Sequence, residues 1–200
     1  MNKPQESVCF QKAIALIDEE NQLDPRQEIL EQGSFGFEYL YSDHVTRWMY
    51  RITDNPGESL LLAARAIHIR RWEKPRNTFP MDRKGYRQWR RTLALFHADI
   101  TKDILRQTGY GEQTITEVTD LITKKHFPKH PDSQILEDAL TLVFLETQLS
   151  DFIQKTDHDK VIGVIQKTWK KMSDQAHTLA MDIAYDPNTK TILTEALNKE

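Results

Sequence analysis

LLLAARAIHIRRWEKPRNTFPMDRKGYRQWRRTLALFHADITKDI, Leu60 to Ile104, decides the fold. Two apolar-periodic stretches bracket a connector rich in arginine and tryptophan. In the second stretch Leu93, His97, Ile100 and Ile104 recur at three- and four-residue steps, the spacing of one face of an α-helix. In the first, Leu61, Ala64 and His68 do the same. Each row carries a histidine where an apolar core residue belongs, so each imidazole needs a polar partner. Pro75 drives Lys74 out of the helical region and ends the first stretch. The connector Pro75 to Gly85 holds two prolines and a glycine, too irregular for a strand and long enough to drape over a site.

Outward from this stretch the helical pattern continues. Val8, Phe10, Ala13, Leu16 and Ile17 predict an amphipathic helix over residues 8–20. Residues 21–37 read as a polar loop with a short helix at Arg26–Glu31. A helix over 38–52 turns Tyr41, Val45, Trp48, Met49 and Ile52 inward with His44 in the stripe, and Asn55-Pro56-Gly57 separates it from a helix over 58–72. Gly109-Tyr110-Gly111 stops the His97 helix, and Ile115, Val118, Ile122 and His126 share a face of the next, over 112–126. After the break at residues 127–131, Asp132 or Ser133 caps a long helix through Phe152, with Asp138 among Ile135, Leu142, Leu145 and Leu149. Amphipathic segments at 159–172 and 174–184 and a last one after Pro187 complete the chain. Without a period-2 run or an internal repeat, the expectation is an all-α helical bundle forming a single domain over residues 1–200.

Composition narrows the function. The 200 residues have net charge −3, yet residues 70–91 carry nine basic side chains against Glu73 and Asp82, +7, leaving −10 for the remainder. Such segregation marks an anion-facing surface. Cys9, the only cysteine, excludes an intramolecular disulfide framework and a zinc site built from several thiolates. No apolar run reaches signal-peptide or membrane-span length, so a soluble cytoplasmic protein without a membrane partner is expected. Neither a P-loop, a dinucleotide-binding glycine pattern nor Gly-x-Ser-x-Gly is present.

His44, His68, His97, His126 and Asp138 each interrupt the apolar row of a different predicted helix. A lone histidine in such a place is usually a hydrogen-bonded core residue; five such groups suggest that they partner one another. Imidazole and carboxylate converging from separate helices is how helical bundles build metal sites, and the mixed nitrogen and oxygen donors suit manganese, iron, zinc or nickel. Arg70, Arg71, Arg76, Arg83, Arg87 and Arg90 offer forked donors for a phosphate. Trp72, Tyr86 and Trp89, interleaved with them, are candidates for stacking on a base or sugar.

The order of His44, His68 in LLLAARAIHIRR, His97 in FHADITKDILRQTGYG, His126 in VTDLITKKHF and Asp138 in ILEDALTLVFLE resembles the HD-domain metal-dependent phosphohydrolases. The likeness covers about residues 38–152, leaving about 157–200 as a C-terminal helical extension. HIRRWEKPR, PMDRKGYRQWR and LEDALTLVFLE closely resemble an uncharacterised family known only as a domain of unknown function. The first resemblance implies a divalent metal held by the four histidines and Asp138, and a water activated for attack on phosphorus. Ile69 stands where the superfamily has the aspartate of its His-Asp pair. Glu73, four residues on, is the candidate to reach back into that place and steer the proton, with Asp138 the other catalytic carboxylate.

Three readings follow. One is a divergent phosphohydrolase acting on a nucleotide or another small phosphate ester. A second is a non-catalytic module binding a phosphorylated molecule or RNA through residues 70–91, and the third a homo-oligomer with histidines at a helical interface.

Overall fold

The computed structural model describes residues 7–198. It is all-α apart from one small hairpin, with ten α-helices among the described residues. The chain divides into two compact units, residues 1–133 and 134–200.

In the first unit, α1 (Val8–Gln22) starts at Ser7, whose hydroxyl accepts from the Phe10 amide at 3.0 Å. It buries Phe10, Ala13, Ile17 and Asn21, one row at three- and four-residue steps. Residues 26–31 are not the short helix expected: β1 (Gln27–Leu30) pairs antiparallel with β2 (Gly33–Gly36), Leu30 opposite Gly33. The turn needs a residue at positive φ, which Gly33 supplies at 137°, and the Gln22 side chain fastens β2 through the Ser34 carbonyl and the Gly36 amide. Neither contact has a periodicity that sequence patterning would detect.

Next come α2 (Phe37–Ile52) and α3 (Glu58–Ala66). Leu60 to Ala66 are all buried, so α3 is the central element, packed by α1, α2 and α5 (Glu112–Ile122). It is six residues shorter than the pattern suggests. The chain unwinds through Ile67–Ile69, passes Arg70 at φ 53° and makes one tight 3-10 turn over Arg71–Glu73. Then α4 (Arg83–Gln107) opens on Asp82, whose carboxylate accepts from the Gly85 amide at 2.6 Å. At its other end Gly109 takes φ 94° and the Tyr110 amide donates to the Leu105 carbonyl, as the glycine stop implied. Helix α5 ends at Ile122, which leaves His126 beyond it on an irregular turn.

Gly85 has a second duty. A Cβ there would collide with the Pro80 carbonyl group. Gly85→Ala is therefore expected to lower stability by about 1–3 kcal/mol through overpacking, read as a lower urea midpoint at unchanged slope. Gly111→Ala, where a Cβ meets open space, is the control.

The second unit is built from α6 (Pro131–Val143), whose first three residues belong to the first unit, α7 (Leu149–Lys155), α8 (His158–Trp169), α9 (Asp174–Met181) and α10 (Pro187–Asn198). A π turn at Phe144–Gln148 interrupts the single long helix expected through Phe152. Leu142, Leu145 and Leu149 are still buried, together with Val161, Ile165, Ala176 and Leu193. Helix α10 packs on α7 and α8. Among the described residues no helix is long and apolar enough to cross a membrane.

Candidate functional site

One buried polar group in the first unit stands out, and its carboxylate comes from a residue the sequence patterning passed over. Glu38, in the first turn of α2, is 1% exposed. Its amide donates to Asp24, itself fully buried, and Arg26 bridges the two carboxylates, with Nη2 2.6 Å from Asp24 Oδ2 and 2.8 Å from Glu38 Oε1. Arg71 Nε stands 3.9 Å from Oε1. The other oxygen, Oε2, lies 3.2 Å from His68 Nδ1 yet has no hydrogen bond.

His68 sits where α3 unwinds, its ring stacked on Tyr41 at 4.5 Å and tilted against His97 at 6.0 Å. His97, 3% exposed on α4, places Nδ1 2.7 Å from the Ile69 carbonyl oxygen. A carbonyl only accepts, so Nδ1 carries the proton and Nε2 presents a lone pair. That Nε2 is buried without a partner among the described residues. Ile69 thus contributes through its backbone while its side chain is fully buried in the core.

Both imidazoles are held neutral. Burial, then the charges of Arg71, Arg90, Lys124 and Arg26, pull the His68 pKa well below its ordinary value. Burial, then His68, take His97 down to about 3 despite the Ile69 carbonyl. Consequently the 3.2 Å contact between His68 and Glu38 sets a neutral imidazole against a carboxyl group and is no ion pair at neutral pH. Burial raises the Glu38 pKa in spite of Arg26 and Arg71. Arg71, over the Trp89 ring at 4.9 Å, has its pKa lowered by burial, with Arg90 adding to the effect. Arg90, exposed on α4, has neither an acidic partner nor a hydrogen bond among the described residues. Buried lone pairs beneath under-neutralised guanidinium groups form a site that favours an anion bearing donor hydrogens.

A family model matches residues 11–193. The chain belongs to the family described as a domain of unknown function, DUF4202. No curated protein matches it, and no solved structure does.

The other candidate residues of this DUF4202 chain are placed differently. Glu73 does not fill the place opposite Ile69: it is exposed and bound to Arg70, 2.6 Å away, because the turn at Arg70 carries it outward. His44, six residues beyond Glu38, lies about 120° round α2 and roughly 9 Å along it, outside the group. His126 is exposed and rests on Asp120 at 3.0 Å. Asp138, in the second unit, accepts from the Ser173 amide, the Ser173 hydroxyl and Gln134. Arg76 is committed to the carbonyls of Phe79, Pro80 and Asp82, and so holds the connector instead of a ligand. Trp89, half-buried, with its N–H on the Lys74 carbonyl and the guanidinium groups of Arg71 and Arg76 over its ring, is likewise held as a strut. Tyr86 leans on Trp89 at 5.8 Å, Trp72 is half-buried, and Arg83 and Arg87 are exposed on the first turns of α4.

Metal chemistry has a partial foothold. The orphaned Nε2 of His97 and Oε2 of Glu38, with His97 Nδ1 anchored on a carbonyl, are suitable donor types for a divalent ion. Among the described residues, however, no three His, Cys, Asp or Glu side chains are grouped to hold one. As placed, these two side chains would supply two donors, and the other positions around an ion would fall to water and to oxygens of the ligand.

Proposed function

We propose that this DUF4202 protein binds a small phosphorylated molecule, such as a nucleotide, at the Glu38–His68–His97 group of its first unit. Arg71 and Arg90 receive the phosphate. The supporting observation is the local charge balance among the described residues: Arg26 is neutralised by Asp24 and Glu38, whereas the one acidic contact of Arg71 is at 3.9 Å and Arg90 has no acceptor. Guanidinium forks match phosphate oxygens two by two, and a partly buried Arg71 gains more from an anion than a solvated one does. His68 and Glu38 then face the ligand's hydroxyl hydrogens. The HD-like order of histidines along the helices fits this reading, with the metal-completing aspartate replaced by an isoleucine whose carbonyl orients His97.

Calorimetric titration of a nucleotide panel and inorganic phosphate, with single-stranded RNA as a separate arm, tests it. Arg71→Ala and Arg90→Ala are each expected to weaken phosphate-ester binding about tenfold or more and to flatten its salt dependence. Arg83→Ala leaves both unchanged. Equal affinity and equal salt slope in all three variants would overturn the proposal, and tighter binding of RNA than of any nucleotide would move it to a polymer ligand.

A second reading, hydrolysis of the phosphate ester with a divalent ion, is favoured by the two orphaned lone pairs on His97 and Glu38. It predicts manganese-dependent phosphate release that falls in Glu38→Gln and His97→Gln. Release equal to wild type in both variants would leave binding alone.

A further inference from the structure

Two buried lone pairs in the candidate site have nothing to accept from among the described residues, and together they narrow the class of ligand. One is Oε2 of Glu38, a residue 1% exposed whose Oε1 is already taken by Arg26 at 2.8 Å. The other is Nε2 of His97, 3% exposed, which is left as an acceptor because Nδ1 gives its hydrogen to the Ile69 carbonyl.

Both acceptors belong to side chains packed on one ring. Glu38 Oε2 lies 3.2 Å from His68 Nδ1, and the His97 ring is tilted against the same imidazole with 6.0 Å between centres. A single hydroxyl brings one hydrogen and satisfies only one of them. Two donors on neighbouring atoms of one molecule satisfy both, and burying an acceptor without a donor carries a cost that such a ligand removes.

The surrounding charge selects the kind of donor. Burial, then Arg71, Arg90, Lys124 and Arg26, disfavour a positive charge on His68. An ammonium donor brought to the same place meets the same four cations, whereas a hydroxyl donates without a charge. Arg71 also relates the phosphate to the hydroxyl groups: its Nε stands 3.9 Å from Glu38 Oε1, on the carboxylate whose other oxygen is the unfilled acceptor. Phosphate and hydroxyls are therefore a few bonds apart in one ligand. The approach is over His68 and Arg71, whose side chains keep 17% and 22% of their surface exposed, so the hydroxyl groups lead and the phosphate stays at the rim.

We infer, on the basis of the phosphate-binding reading, that this site selects a phosphate ester with hydroxyl groups on two adjacent carbons, one donating to Glu38 Oε2 and the other to His97 Nε2, and discriminates against the deoxy counterpart. Ribonucleotides and sugar phosphates share this chemistry. A site built to take a hydroxyl hydrogen rejects the analogue that lacks it, because its buried acceptor is then left bare.

The test is calorimetric titration of the full chain with AMP, the two analogues of AMP that each lack one ribose hydroxyl, and ribose phosphate with its deoxy analogue, in a chelator so that no divalent ion serves the two acceptors. The parent compounds are expected to bind about tenfold or more tightly than their deoxy analogues, and the gap should close for one AMP analogue in Glu38→Gln and for the other in His97→Gln. Equal binding of ribose phosphate and AMP identifies a sugar phosphate as the ligand, and tighter binding of AMP a nucleotide. The ligand comparison is made on the unaltered chain, so it stands should either variant fail to fold. A deoxy analogue that binds as tightly as its parent, while Arg71→Ala still weakens both, would overturn the inference and leave phosphate binding in place. A gap undiminished in both folded variants would also overturn it, and the absence of saturable binding by any of these phosphate esters would remove the phosphate reading with it.

Discussion

Lowering the pH from 7 to 5 is expected to remove about 2 kcal/mol of the first unit's stability through His97 alone, with His68 adding to the loss. A histidine in the unfolded chain titrates near 6.5, whereas folded His97 does so at about 3. Between these values the unfolded state binds a proton that the folded state refuses, so stability is fully present above about 6.5 and falls as the pH drops toward 3. The slope is about 1.4 kcal/mol per pH unit for one such group, hence about 2 kcal/mol by pH 5. His68 is shifted in the same direction by burial and by the charges of Arg71, Arg90, Lys124 and Arg26. Glu38 works the other way: its raised pKa stabilises the fold below its unfolded value of about 4.5 and that contribution fades as the pH rises through the folded pKa. Asp120, with a lowered pKa, loses its contribution only in the carboxylate range, so the loss between pH 6.5 and 5 comes from the two imidazoles, and Glu38 acts against it. Urea unfolding of a Trp169→Phe background, whose remaining tryptophans all lie in the first unit, reads the effect directly. His97→Gln should show a profile flatter by about 2 kcal/mol over the same interval. An identical slope in wild type and His97→Gln would mean that His97 protonates freely in the folded chain, which would remove the neutral lone pair from the proposed site.

That lone pair illustrates what the sequence conveyed and what it withheld. The row Leu93, His97, Ile104 placed His97 in the core correctly, and the Gly109 stop was legible because a positive φ has few residues to serve it. Spacing said nothing about the partner. The expectation was another side chain on another helix, and His97 instead has the Ile69 carbonyl, available because α3 unwinds early and exposes its last backbone oxygens. Glu38 was within reach of the same reasoning. It falls on the face of Ser42, Val45, Met49 and Ile52, all buried, and extending that row back one turn would have found it. The arginine connector was recognised as cationic, but which guanidinium groups are spent on local carbonyls, as Arg76 is, depends on a loop path that no periodicity encodes. The hairpin at residues 27–36 was missed for a similar reason: its strands are four residues long and mostly exposed, so neither alternation nor an apolar run marks them.

Asp138→Ala is expected to destabilise the second unit by about 2–3 kcal/mol, the range for removing a charged hydrogen-bond acceptor and leaving its buried donors unpaired. The side chain is 1% exposed. Its Oδ1 accepts from the Ser173 amide at 3.0 Å and Gln134 Nε2 at 2.9 Å, and its Oδ2 from the Ser173 hydroxyl at 2.7 Å. Ser173 is the N-cap of α9, with its hydroxyl accepting from the Ala176 amide at 3.2 Å, so Asp138 fixes the residue that starts that helix. Deleting the carboxylate leaves the Ser173 amide without its acceptor and frees the cap to rotate. Asp138→Asn, which keeps one oxygen for the amide, should recover roughly half of the loss. Hydrogen exchange is the discriminating measurement, because a cap acts locally: amides of Ala176 to Ala180 should lose protection in Asp138→Ala before those of α8. A carboxylate whose role was chemical would behave differently. Phosphate-ester binding or turnover would then vanish in Asp138→Ala while α9 kept its protection, and that result would return Asp138 from the scaffold to the reaction.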